Sequence, residues 1–357
     1  MTRALKRGRR AAILLGAVPA PGLYSAQAFA HVKWFCTNVD VSSPPLGLRD
    51  VVSPFFLQIC LGFLILVAAG VYVDCWIARL WPRSLSAGTR LQWAEDLLVR
   101  GGIAMYCVFL WNRTAVVPWG HAGAILTPEL LDHDRLVGGL QIAVAVLVLW
   151  RRTCPAAAAL VALLFGYGVA RYGIFHMTDY VYFIGFIVYL ALTAASSRLR
   201  AVRLPVLGAT LGFSLMWTAV EKFLYPQWTA QILLEHPDIT AGLPVASVIV
   251  IAGFVEFSLA FYLVTGRGLL RIGALAFMAV FVSAIPEFGR LDSVGHVPII
   301  AILLAIFLRG SSPMHDALRL RHGGPAANTL AICSLYLVTL SVMIVMYYTM
   351  QLTAVRT

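Results

Sequence analysis

Ten apolar stretches follow one another along the chain, at 54–77, 97–117, 136–150, 155–174, 180–195, 204–224, 244–265, 269–286, 295–309 and 328–350, with short polar connections between them. A helix needs roughly 20 apolar residues to cross the hydrocarbon core of a bilayer. Most of the ten meet that length, and the shorter ones leave their ends loosely defined. The pattern predicts about ten transmembrane helices.

An earlier apolar run has different flanks. Arg3, Lys6, Arg7, Arg9 and Arg10 precede a stretch that begins at Ala11, and Ala28-Phe29-Ala30 puts small residues one and three places before a potential cut. These are the three parts of an export signal. Pro19 and Pro21 make the same run a poor spanning helix. Residues 1–30 are therefore expected to be a cleaved signal, which leaves His31 first in the mature chain; the alternative is an uncleaved short anchor. The exported segment from His31 carries Trp34 and Phe35, which suit the membrane interface, and ends in the stiff Pro44-Pro45.

Composition agrees with the pattern. Hydrophobic residues make up 60% of the chain and charged residues 12%. That leaves too little polar surface for a soluble protein of this length. The expected class is an all-α polytopic membrane protein. A net charge of +11 would fit a nucleic-acid binder, but the placement of the basic residues explains it without one. With the mature N-terminus exported, fourteen arginines fall on the cytoplasmic side and eight lysines and arginines on the other. That asymmetry follows the positive-inside rule. A bacterial inner membrane, with a periplasmic N-terminus, is the expected location, and the lipid bilayer is the first partner.

In this topology His31, His121, His133, His176, His236 and His296 lie on or near the exported face, while His315 and His322 face the cytoplasm. Cys36, Cys60, Cys75, Cys107, Cys154 and Cys333 show no metal-site or paired spacing and read mostly as small core residues. Cys36, five residues from His31, could be a soft ligand or a free thiol.

A weak repeat organises the middle of the chain. Asn112-Arg113-Thr114 through Pro118 aligns with Val220-Glu221-Lys222 through Pro226, Gly138-Gly139-Leu140-Gln141 with Gly253-Phe254-Val255-Glu256, and Asp179-Tyr180-Val181-Tyr182 with Asp292-Ser293-Val294-Gly295. The expected organisation is a signal at 1–30, an exported segment and first helix at 31–94, two tandem four-helix units at 95–198 and 204–310, and a last helix at 311–357. Both units start on the same side, so the repeat is parallel.

The second unit resembles the DoxX-like membrane family. The resemblance rests on Glu221-Lys222 at the end of a first helix, Glu256 in a second, Gly266-Arg267-Gly268 after it, and the closing Phe288-Gly289-Arg290-Leu291-Asp292-Ser293-Val294-Gly295-His296. It extends over the second unit alone, and its motifs are diffuse. It implies a four-helix membrane unit, linked in some similar proteins to thiosulfate–quinone or thiol redox systems. The first unit has Arg113 and Gln141 where the second has Glu221 and Glu256, which assigns any inherited chemistry to the second.

The residues make the same assignment by themselves. An ionised carboxylate such as Glu256 in mid-span costs at least a few kcal/mol, so it must be protonated, paired or beside water. Lys222 is the nearest cationic partner. Glu221, Glu287, Asp292 and His296 lie at the exported ends of neighbouring helices, where they could form a proton path, a cation site or a pocket for a quinone headgroup. They could equally be interhelical hydrogen bonds and ion pairs that fix the bundle.

A copper site is a separate expectation. An N-terminal histidine offers its α-amine and its imidazole together, and His121, His133 or His176 could complete the set with Asp132, Asp134 or Asp179. Asp132-His133-Asp134 reads equally as a solvated turn and helix cap. His176 and Asp179, three residues apart at a helix start, could face one pocket, or Asp179 could be a cap. No nucleotide-binding or hydrolase motif is present. Three readings follow: a quinone-linked, redox-associated protein with a periplasmic redox partner, a periplasm-facing copper binder or transporter served by a metal-carrying protein, and a non-catalytic assembly factor.

Overall fold

The computed structural model describes residues 44–80, 89–116, 123–132, 135–320 and 324–354. Twelve helices occur among the described residues. They are α1 Leu48–Val51, α2 Pro54–Leu80, α3 Thr89–Val116, α4 Arg135–Leu147, α5 Cys154–Met177, α6 Tyr182–Ala191, α7 Ser197–Leu224, α8 Pro226–Glu235, α9 Val245–Thr265, α10 Leu269–Arg309, α11 Pro313–Ala317 and α12 Pro325–Ala354. The strands β1 Gly123–Ala124 and β2 Leu131–Asp132 pair antiparallel across one loop. Among the described residues, six helices are long and apolar enough to cross a membrane: Pro54–Leu80, Cys154–Tyr180, Ser197–Leu224, Val245–Thr265, Leu269–Pro286 and Pro325–Leu352. The shorter apolar pieces Leu136–Leu147, Tyr182–Ala194 and Ser293–Arg309 accompany them. The chain is an α-helical, multi-pass membrane protein.

α10 is helical throughout but not straight. Phe281 and His296 stack with ring centroids 4.3 Å apart, and Arg271 Nε donates to Phe307 O at 2.9 Å. At about 1.5 Å of rise per residue, a straight helix would separate these pairs by about 22 Å and about 54 Å. The segment therefore folds back as two antiparallel arms. Pro286, which lacks an amide donor, stands where the first arm ends. The arms coincide with the stretches 269–286 and 295–309 expected as separate spans.

α7 is the central helix, packed on α9 and α6, while α10 packs on α3 and α12 lies along α2. Two close approaches set these seams. A Cβ on Gly102 of α3 would come within 2.4 Å of the Ala301 Cβ on the second arm of α10, and one on Gly185 of α6 within 2.0 Å of Thr210 Oγ1 on α7. Thr210 follows Gly102 by the offset that relates Arg113 to Glu221. The last helix of each expected unit thus meets the first helix of the other.

α5 breaks at Gly173, where φ is 79 degrees. That value lies in the left-handed region, which glycine enters without penalty. After the break Phe175 and Met177 are buried, and the chain leads into the short 3-10 turn Thr178–Tyr180, all three residues of which are buried.

Several arginines at the end of the bundle carrying the α7 N-terminus are not simply solvated. Buried Glu95 meets Arg309 at 2.9 Å and Arg203 at 3.3 Å, and buried Asp96 meets Arg100 at 2.8 Å, Arg203 at 2.9 Å and Arg151 at 3.0 Å. Arg203 also lies over the Tyr189 ring, 4.4 Å from its centroid.

Candidate functional site

Lys222 lies in the last turn of α7, and Glu256 is the twelfth of the 21 residues of α9. α7 and α9 cross closely enough for Lys222 Nζ to donate to Glu256 Oε2 at 2.7 Å, with both side chains buried. This is the pairing expected from the sequence. Desolvation makes such a pair costly to form, and removing one partner typically costs about 3–5 kcal/mol, because the other charge stays buried. Glu256 Oε1 has no hydrogen-bond partner among the described residues. The carboxylate keeps one acceptor in reserve.

Lys222 also lines a cavity of about 340 Å³ between the start of α2, the α7–α8 turn and the start of α9. Asp50, Ser53 and Ser247 give it a polar edge, and Phe55, Phe56 and Phe223 form much of its wall. Phe56, Phe223 and Phe254 meet with centroids 4.9, 5.0 and 5.1 Å apart, and Phe63 stacks on Phe254 at 5.5 Å. Farther along the same α2–α9 seam, a groove of about 350 Å³ runs past Phe63, Val67, Val255 and Leu259 to Tyr262. The geometry is a small chamber with a cationic donor and a polar edge, separated by packed phenylalanine rings from an apolar groove on the same seam.

The other expected residues lie elsewhere. Consecutive residues on a helix point about 100° apart. Glu221 accordingly turns to α12, where Tyr347 O–H donates to its Oε2 at 3.0 Å. Tyr347 in turn stacks on Trp217, with centroids 4.7 Å apart, and meets Phe175 edge-on at 5.0 Å. His296 is fully buried against Phe281. Glu287 and Asp292 fall at the reversal of α10, and their side chains lie outside the described residues, as do His31, His121 and His133. His176 meets a residue from another loop. Its Nε2 is 3.0 Å from Glu129 Oε1, an oxygen that also accepts from Tyr180 O–H. Asp179 is buried in the 3-10 turn, one position before Tyr180. Among the described residues, no group of three or more His, Cys, Asp or Glu side chains is arranged to hold a metal ion.

Glu129 was not foreseen. Its loop is not solvated: Ala124, Ile125, Thr127 and Leu130 are fully buried, and Gln141, aligned with Glu256 in the repeat, donates its amide to the carbonyls of Ala124 and Ile125. The apolar content of Gly123-Ala124-Ile125-Leu126 and Leu130-Leu131 was the available signal, since exposed loops seldom carry so much. Tyr347 and Trp217 gave no such signal; aromatic residues are ordinary in a spanning helix.

No protein-family model, no curated protein and no solved structure matches the chain.

Proposed function

We propose that the chain binds the headgroup of an isoprenoid quinone at Lys222 and exchanges a proton with it through Glu256. The observation that carries this reading is the buried Lys222–Glu256 pair at 2.7 Å, one carboxylate oxygen uncommitted, beside an aromatic-walled chamber, with a separate apolar groove farther along the same seam. A quinone is an amphiphile of that shape. Its ring stacks on aromatic faces, its carbonyl accepts from an ammonium, and its tail needs an apolar track. Reduction to the quinol takes up two electrons and two protons. In this reading a periplasmic redox protein supplies both electrons; Glu256 takes up a proton from water and passes it to the ring oxygen beside Lys222, and the second ring oxygen takes its proton from water. The DoxX-like resemblance points the same way, through Glu221-Lys222 and Glu256.

The topology that accompanies this proposal has ten spans after a signal cleaved at Ala30, two tandem four-helix units, and the chamber facing the periplasm of a bacterial inner membrane. The exchanged contacts at Gly102–Ala301 and Gly185–Thr210 support the two-unit arrangement. Glu221, with Tyr347, serves as a wall of the bundle rather than as part of the chamber. The copper reading, through His31, and the assembly reading have no comparable observation behind them.

Equilibrium binding of a short-chain ubiquinone to the detergent-solubilised protein tests the proposal. Lys222→Met removes a charged hydrogen bond worth about 1.5–3 kcal/mol and is expected to weaken binding about 10- to 100-fold. Glu256→Gln keeps a partner for Lys222 Nζ, so binding is expected to survive while its dependence on pH is lost. Unchanged affinity in Lys222→Met, with the variant folded, would overturn the reading.

A further inference from the structure

The end of the bundle opposite the quinone chamber carries a second, differently built cavity. It measures about 300 Å³ and lies between the first turns of α7, the end of α9, both ends of α10 and α11. Glu95, Arg200, Arg309, Ser311, Ser312 and His315 line its polar part, and Leu204, Leu270 and Ile306 its apolar part. The charge around it is unbalanced. Glu95 and Asp96 are each held by more than one arginine, and between them engage Arg100, Arg151, Arg203 and Arg309. Arg271 is buried behind the lining, its guanidinium against Gly310, and Arg200 is exposed at the rim and enters none of these ion pairs. Among the described residues, four arginines engage these two carboxylates, and Arg200 and Arg271 stand beside the cavity.

An excess of positive charge in a partly desolvated cleft favours an anion. The chemistry of the lining narrows the choice. Arginine guanidiniums and serine hydroxyls suit phosphate oxygens, whereas Leu204, Leu270 and Ile306 offer a free phosphate nothing and suit an acyl chain. We propose that this cavity holds the phosphate headgroup of an anionic phospholipid, with the apolar wall receiving the start of its acyl chains. By the arginine asymmetry of the sequence the lipid belongs to the cytoplasmic leaflet, where basic pockets between spans meet anionic headgroups. Arg309 and Glu95 line the cavity together, paired at 2.9 Å, and Glu95 also meets Arg203 behind the lining at 3.3 Å.

The test is native mass spectrometry of the full chain in detergent, titrated separately with palmitoyl-oleoyl phosphatidylglycerol, with the phosphatidylcholine of the same chains, and with inorganic phosphate, and checked by thermal unfolding. One phosphatidylglycerol is expected to be retained at concentrations where phosphatidylcholine is lost, and millimolar phosphate is expected neither to displace it nor to protect the fold. Arg200→Gln should weaken retention about fivefold, the effect of one arginine near a lipid surface. Ala201→Trp, which fills the cavity from its exposed edge without touching a charge, should abolish the preference. Equal retention of the two lipids, protection by phosphate alone, or an unchanged preference in both folded variants would overturn the proposal.

Discussion

Asp74 lies in an apolar run of α2, and its chemistry is supplied entirely by residues far along the chain, at the start of α10 and beyond α11. Its Oδ1 accepts from the backbone N–H groups of Arg267, Gly268 and Leu269 at 2.8, 2.9 and 2.8 Å, and its Oδ2 from Arg319 at 2.6 Å. The carboxylate thus satisfies amides at the start of α10 that have no intrahelical partner. Asp74→Ala would leave these donors and a buried guanidinium unmatched, and is expected to cost about 3–5 kcal/mol. Asp74→Asn keeps an acceptor and should cost less, an ordering that thermal unfolding in detergent checks. Single residues were legible where burial and charge conflict within one stretch. Glu256 was visible as an acid in mid-span with Lys222 as its cation, whereas Asp74, Glu95 and Glu129 depended on distant partners that no local pattern reveals.

Helices were the most legible objects, since twenty apolar residues in a row have few alternatives. Among the described residues, six of the expected stretches fall on helices long and apolar enough to cross a membrane, and 136–150, 180–195 and 295–309 correspond to shorter apolar helices. Their contacts were not legible. The α3–α10 seam depends on Gly102 meeting Ala301, and the α6–α7 seam on Gly185 meeting Thr210. A methyl group at Gly102 would push the Ala301 methyl aside, so Gly102→Ala is expected to destabilise by about 1–3 kcal/mol. Adding Ala301→Gly should recover much of that loss, because the double variant moves the methyl from one side of the seam to the other. A double-mutant cycle of unfolding free energies measures the coupling. Additive effects would mean that the two helices do not meet there.

At the scale of the whole molecule, the two ends of the bundle have different chemistry: a lysine–carboxylate pair beside an aromatic chamber at one, and an arginine-rich ionic lattice at the other. The second end should govern acid sensitivity. Burial would by itself raise the Asp96 carboxyl, but hydrogen bonds from Arg100 and Arg151 and the charges of Arg203 and Arg100 outweigh it and hold the group below its usual value. For His315 it is burial that prevails: it lowers the group, against the opposing pull of Leu263 O, Ser312, Asp316 and Asp74. Its Nδ1 accepts from Ser312 N–H at 3.1 Å. Both groups have depressed folded values, so each contributes stability that is present above its unfolded pKa and lost as pH falls through its folded one. Stability in detergent should therefore decline first below about pH 6.5, a step that His315→Gln removes, and again below about pH 4 through Asp96. The sequence alone determined the membrane class, the helical segments and the Glu256–Lys222 pair, because each follows from hydropathy and charge read over a few tens of residues. The tertiary structure decided the aromatic chamber, the burial of the Glu129 loop, the fold-back contacts of α10 and the arginine lattice. Each of these joins side chains far apart in the sequence, and helix crossing and packing in three dimensions, not local pattern, choose which of them meet.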